Sequence, residues 1–187
     1  LVGVMPTPGI AFVTQSMRAD AGVVISASHN PFQDNGLKIF GGDGYKLTDE
    51  KEEIIEDLIL NNKLSEFLSK GDDIGRAFRL EGVNGRYIVF VKNTFPRNLS
   101  MEGMKIVLDT ANGATYRVAP DIFHELGADI DVIHKTPNGI NINDQCGSQH
   151  TERLRKTVVD NGAAIGLAFD GDGDRLIAVD EKGNEIT

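Results

Sequence analysis

Hydrophobic residues along this chain alternate between short continuous runs and longer stretches of helical spacing. Leu1 to Met5, Ala21 to Ser26 and Leu37 to Phe40 are apolar runs of strand length. Between the first two, Pro6-Thr7-Pro8-Gly9 turns into a helical pattern over Ile10 to Met17. Thr48 stands where an N-cap belongs, with Asp49 and Glu50 in the first turn, where they favour the helix dipole. Ile54, Ile55, Leu58 and Ile59 then recur on one helical face, and Asn61-Asn62 closes the element.

From Lys70 to Gly85 the chain is glycine-rich and charged, which marks a domain boundary. Beyond it, Arg86 to Phe95 is predicted as a helix ended by Pro96. Strands are expected at Lys105 to Leu108, Ile130 to Ile133, Ala163 to Phe169 and Leu176 to Val179. Helices are expected at Tyr116 to Leu126, closed by Gly127, and at Thr151 to Asn161, closed by Gly162. Strands alternating with short helices imply βαβ units. The expected class is α/β: two consecutive units, 1–80 and 81–187, with mixed, mostly parallel sheets flanked by helices.

Composition narrows the partners more than the fold. The 187 residues, 40% hydrophobic and 25% charged, suit a globular chain that buries its own core. A net charge of -9 argues against nucleic acid or an anionic membrane as partner. It leaves room for a small phosphorylated ligand held by a local basic cluster. Cys146 is the sole cysteine, so no internal disulfide can form and a reducing, cytoplasmic setting is expected. No apolar run approaches the roughly 20 residues of a membrane span. Leu1 starts inside a strand-like run without an initiator Met, and Glu185-Ile186-Thr187 stops at the edge of another, so both ends read as cut.

Two loops carry chemistry. Ser26-Ala27-Ser28-His29-Asn30-Pro31 follows the run Val23-Val24-Ile25, at the strand end where α/β sheets bind ligands. Ser28 could serve as nucleophile or phosphate carrier, with His29 and Lys38 as proton handlers. The same residues also suit an ordinary tight turn, in which Ser and Asn cap backbone N–H groups. A hydrolase triad fits poorly, because there is no Gly-x-Ser-x-Gly elbow.

The second loop, Phe169-Asp170-Gly171-Asp172-Gly173-Asp174-Arg175, places three carboxylates at alternate positions between apolar strands. Unpaired, neighbouring charges at 4 Å repel by about 1 kcal/mol in water and about 4 at an effective dielectric of 20. A hard divalent ion (Mg²⁺, Ca²⁺ or Mn²⁺) would relieve this. An EF-hand is excluded: Arg175 stands where the sharp turn needs Gly, and the flanks are strands. Arg175 directly after the acids points to an anion, such as phosphate, as the ion's other partner. Cys146 and His150 are too few for a structural zinc site, and His124 and His134 read as packing or surface residues inside elements.

Together these loops resemble the α-D-phosphohexomutase family across essentially the whole chain. The resemblance implies that Ser28 carries a phosphoryl group and that Asp170, Asp172 and Asp174 bind one Mg²⁺ per active site, with the phosphorylated Ser28 as a further ligand. It implies that Arg175 helps hold the phosphate and that Lys38 and His29 transfer protons. The stretch from Ser26 through Asp34-Asn35-Gly36 to Lys38, with Met5-Pro6-Thr7-Pro8-Gly9, Cys146-Gly147-Ser148 and His150, is most similar to the branch acting on glucosamine phosphate. The implied partner is a phosphorylated amino-hexose; a homodimer stays open. Family enzymes have four domains, and the chain resembles most of the first and most or all of the second. The segments that grip the sugar and its second phosphate have no match, so this stretch alone is expected to be inactive. The rival expectations are a mannose- or glucose-phosphate mutase of the same family, and a non-catalytic metal-binding module.

Overall fold

A computed structural model of the protein describes residues 1–186. Helix α1 (Thr7–Ser16) leads into β1 (Ala21–Ser26) and β2 (Gly36–Gly41), which pair antiparallel with Val23 opposite Ile39. The expected strand at Leu1 to Met5 does not form. Its backbone is satisfied instead by a separate partner: the terminal amine donates to the carbonyl of Phe78 at 2.6 Å, and Leu80 N donates to Leu1 O at 2.9 Å.

Helix α2 (Asp49–Leu60) begins at Thr48 as expected, although the threonine side chain makes no capping bond. Its helical spacing is borne out, and its apolar stripe stays uncovered. No residue of α2 is buried, and Ile54 and Ile59 are exposed. Helical spacing identifies a face; it takes a second element to cover it, and the principal neighbour of α2 is the short 3₁₀ turn at Lys63–Glu66.

Helix α3 (Val83–Lys92) starts earlier than the sequence pattern predicted. Gly82 takes the left-handed conformation (φ 72°) immediately before it, which sets the start. The second sheet has the order β4-β3-β5-β6-β7, built from β3 (Lys105–Asp109), β4 (Asp129–Ile133), β5 (Ile165–Phe169), β6 (Leu176–Asp180) and β7 (Glu185–Ile186). Strand β3 is parallel to β4 and β5, whereas β6 is antiparallel to both its neighbours. The mixed α/β class stands, with a smaller parallel share than expected. A loop as short as Asp170 to Arg175 cannot make a crossover, so β5 and β6 must form a hairpin.

Helices α4 (Val118–Glu125) and α5 (Glu152–Asn161) cover opposite faces of this sheet. Leu154 and Val158 of α5 pack on Val107, Ala168 and Val179. The other face buries Ile106 and Leu108 against Phe123 and Ala128. A third cluster joins α1, α3 and α4. Met5, Ile10 and Val13 near α1 meet Val83, Tyr87 and Ile88 of α3 and Val118 and Ile122 of α4. This shared core sets the end of β1 against the end of β5, which is what brings the two chemical loops together. Among the described residues no helix is long and apolar enough to cross a membrane.

Candidate active site

The acidic loop lies at the carboxyl end of β5, with its carboxylates drawn together. Asp170, Asp172 and Asp174 offer oxygens that all lie within 4.8 Å of one another. Asp170 is fully buried. Its Oδ1 accepts from the backbone N–H groups of Asp174 and Arg175, both at 3.1 Å, which curls the loop around it. Burial pushes its carboxyl up to about 6, with the charges of Asp172 and Asp174 adding to the effect against the backbone bond from Arg175.

Asp172 is pinned from three sides. Its Oδ2 accepts from Lys38 Nζ at 2.6 Å, Ser26 Oγ at 2.6 Å and Thr7 Oγ1 at 2.7 Å. Burial works to raise its pKa, but the bonds from Lys38, Ser26 and Thr7 prevail and hold it below the usual carboxylate range. Lys38 also donates to Asp174 Oδ2 at 3.1 Å. For Lys38 burial works downward, and the two carboxylates outweigh it, leaving the ammonium above its ordinary value.

Two carboxylate oxygens, Asp170 Oδ2 and Asp172 Oδ1, are buried without a hydrogen-bond partner. A buried carboxylate oxygen with no donor is costly. Two of them in a cluster of three acids form an all-oxygen donor set that fits a hard divalent cation.

Ser28 sits in the left-handed region (φ 51°), which a residue with a side chain adopts only when its surroundings impose it. Its N–H donates to Ser26 Oγ at 2.9 Å, so the Ser26 hydroxyl links the Ser28 backbone to the Asp172 carboxylate. His29 lies alongside, Nδ1 3.4 Å from Ser28 Oγ. The side chain of Arg175 is exposed and makes no ion pair among the described residues; only its backbone engages Asp170. The structure thus brings Ser28, His29, Lys38 and the three aspartates to one place, and leaves the Arg175 guanidinium outside the contacts.

Several supporting residues escape sequence inspection. Asp109, fully buried at the end of β3, accepts from Ala111 N at 2.9 Å and Gly147 N at 3.0 Å, and its Oδ2 lies 2.9 Å from His134 Nδ1. His134, expected inside an element, instead follows β4 in the left-handed conformation (φ 49°), where Asp109 meets it. A carboxylate directly after the apolar run Ile106-Val107-Leu108 was a usable signal, because a charge there is either buried and paired or out of place. Thr7 and Asn143 carry no such mark. Cys146 is buried, and burial together with Asp109 and Asp144 pushes its thiol up to about 12, a chemically quiet setting.

A cavity of about 860 Å³ runs along β1 to Gly171 and Asp172, but Ser28, His29 and Lys38 do not line it. The chemistry gathers at its rim.

Comparison with known proteins agrees with this geometry. The family described as "Phosphoglucomutase/phosphomannomutase, alpha/beta/alpha domain I" matches residues 1–66, and the corresponding domain II matches residues 85–183. The chain is 75% identical over 187 residues to a phosphoglucosamine mutase of Syntrophobacter fumaroxidans, and 65% identical over 187 residues to one of Syntrophus aciditrophicus. It spans 42% of the length of each of these relatives. Among solved structures, a phosphoglucomutase/phosphomannomutase family protein from Burkholderia thailandensis superposes with a TM-score of 0.79 at 25% identity, over 99% of this chain and 40% of that one.

Proposed function

Because the chain belongs to the phosphoglucomutase/phosphomannomutase family, we propose that the complete gene product interconverts glucosamine 6-phosphate and glucosamine 1-phosphate through a phosphoryl group carried on Ser28. The observation that carries this reading is the joining of two loops. Ser26 bonds both to the backbone of Ser28 and to Asp172, so the phosphoryl carrier and the acidic cluster form one site. The identity to phosphoglucosamine mutases supports the choice of amino sugar.

In the proposed cycle the sugar hydroxyl attacks the phosphorus on Ser28. The Ser28 Oγ–P bond breaks, a sugar O–P bond forms, and the proton that the sugar hydroxyl gives up passes to the serine oxygen. The bisphosphorylated sugar then turns over and returns its other phosphate to Ser28. Positioning and charge neutralisation carry most of such a transfer. His29, beside Ser28 Oγ, is the group placed to exchange a proton with the serine. Lys38, its ammonium held by two carboxylates, stays protonated at neutral pH and serves as charge partner to the phosphoryl oxygens. Arg175 is free to turn onto the phosphate. Asp170, Asp172 and Asp174 would hold one Mg²⁺, which when bound neutralises phosphoryl charge and polarises the oxygens. Residues 1–80 and 81–187 act as the first two domains, the sugar-gripping parts lie elsewhere in the gene product, and a cytoplasmic setting suits both substrate and lone thiol.

The test is mutase turnover of the complete gene product with Mg²⁺ on glucosamine, glucose and mannose phosphates, beside Ser28→Ala. Preference for glucosamine phosphate, lost by on the order of a thousandfold or more in the variant, is expected. Preference for another hexose moves the substrate while keeping the site. Turnover that survives in Ser28→Ala removes Ser28 as the phosphoryl carrier, and none on any sugar removes the enzyme reading and leaves a metal-binding module.

A further inference from the structure

We propose that Asn143 is a positioning residue for phosphoryl transfer, its side-chain amide holding the Ser28 loop of the first unit against the acidic loop of the second. Asn143 Nδ2 donates to Ser28 O at 2.9 Å and to Asn30 O at 2.9 Å, reaching across 115 and 113 residues of sequence. Two carbonyl oxygens converge on one group, and only an NH₂ can donate to both, which fixes the orientation of the amide. The same nitrogen packs on the acidic loop: a Cβ added to Gly171 would lie 2.7 Å from Asn143 Nδ2 and 2.6 Å from Ser28 O. A single amide therefore bonds to the carrier loop and borders the backbone between Asp170 and Asp172.

Asn143 is itself anchored. Its N–H donates to Ala111 O at 3.0 Å, and Ala111 N donates in turn to the buried Asp109 carboxylate at 2.9 Å. Asn143 takes the left-handed conformation (φ 59°), which asparagine tolerates better than most residues. Ser26 holds Ser28 by its N–H and Asn143 holds it by its carbonyl, so the left-handed turn at Ser28 is gripped on both sides. Removing one grip lets the turn relax and moves Oγ away from the acids. Displacements of about 1 Å at a reacting atom cost on the order of a hundredfold in rate.

The inference rests on the proposed mutase function for its kinetic readout, and a second readout stands apart from it. In the complete gene product with Mg²⁺, Asn143→Gly keeps a residue at ease with positive φ and deletes the amide. Asn143→Asp keeps the shape and sets a carboxylate against two carbonyls. In both variants kcat on glucosamine phosphate is expected to fall on the order of 10- to 100-fold, with KM little changed. Amide hydrogen exchange over residues 26–31 is expected to quicken about tenfold or more, while residues 105–109 in β3 keep parental rates. Parental exchange over 26–31 in both variants overturns the proposal, whatever the kinetics show. So does a fall in kcat that merely tracks a loss of folded protein, with β3 exchange accelerating as well. If the parent turns over no sugar phosphate, the functional reading fails, and exchange over 26–31 alone decides whether Asn143 holds the loop.

Discussion

The ammonium of Lys38 lies 2.6 Å from Oδ2 of Asp172, although 134 residues separate them in sequence. The lysine comes from β2 of the two-stranded sheet and the aspartate from the β5–β6 loop of the five-stranded sheet. The pair therefore ties the two sheets together at the point where the chemistry is proposed. Because Thr7 and Ser26 bond the same oxygen, Asp172 keeps its other oxygen, Oδ1, free of hydrogen bonds within the acidic cluster.

Replacing Lys38 by Met leaves a nearly buried carboxylate without its counter-charge. Partial exposure of the lysine side chain, 30% against 6% for Asp172, discounts the effect. The expected loss at pH 7 is about 1–2 kcal/mol in urea unfolding. The pair's contribution has two limits in pH. Asp172 has a depressed pKa, so its share is present above the unfolded value of 3.8 and is lost as pH falls through the folded one. Lys38 has a raised pKa, so its share is present below 10.5 and fades as pH climbs past the folded value. The gap between parent and Lys38→Met should thus narrow as pH falls below 3.8 and again as it rises above 10.5. A gap that stays constant from acid to alkali would rule out the ion pair as its source.

Asp170 runs in the opposite sense. Its carboxyl is raised to about 6, so between 3.8 and about 6 the folded form holds the proton that the unfolded chain has released. Its contribution to stability falls as pH rises through that window and stays low above it. In chelator-treated protein at pH 7, Asp170→Asn is expected to be more stable than the parent, by on the order of 2–3 kcal/mol at most. At pH 3.5 the two should agree closely. Millimolar Mg²⁺ should then raise the parent's melting temperature and leave the variant's almost unmoved. A destabilised variant at pH 7 without metal would show that the cluster is not under charge strain.

Gly171 and Gly85 make a contrasting pair of alanine substitutions. At Gly171 a Cβ would meet Ser28 O at 2.6 Å, a backbone oxygen that Asn143 holds in place. Overpacking of this kind costs about 1–3 kcal/mol, and at this chain length each kcal/mol lowers the melting temperature by about 2–4 °C. At Gly85, inside α3, a Cβ meets nothing within 4 Å. Gly85→Ala should gain about 0.5–1 kcal/mol from helix propensity. Thermal melts of the two variants check both signs at once.

Much of the local structure was legible in the sequence. β1 has the bounds its apolar run implied, and α2 and α5 start close to the positions marked by Thr48 and Thr151. Both chemical loops were visible because their composition conflicts with their apolar flanks: three acids after Phe169, and Ser-His-Asn-Pro after Ile25. The missed features share one property, in that their partners are remote. The strand-like run at Leu1 finds Phe78 and Leu80 rather than a ladder, and His134 finds Asp109.

Periodicity, turn chemistry and charge crowding act over a few residues, so the sequence by itself determined most of the helices and strands and the two loops whose composition sets them apart. Packing decided the rest. The core shared by α1, α3 and α4 sets the end of β1 against the end of β5, and that placement alone brings Lys38 to Asp172, Thr7 to the same carboxylate and Asn143 to Ser28. These contacts join residues more than a hundred positions apart, a distance over which no local pattern carries information. The buried core holds them together, and its complementarity exists only once the chain has folded.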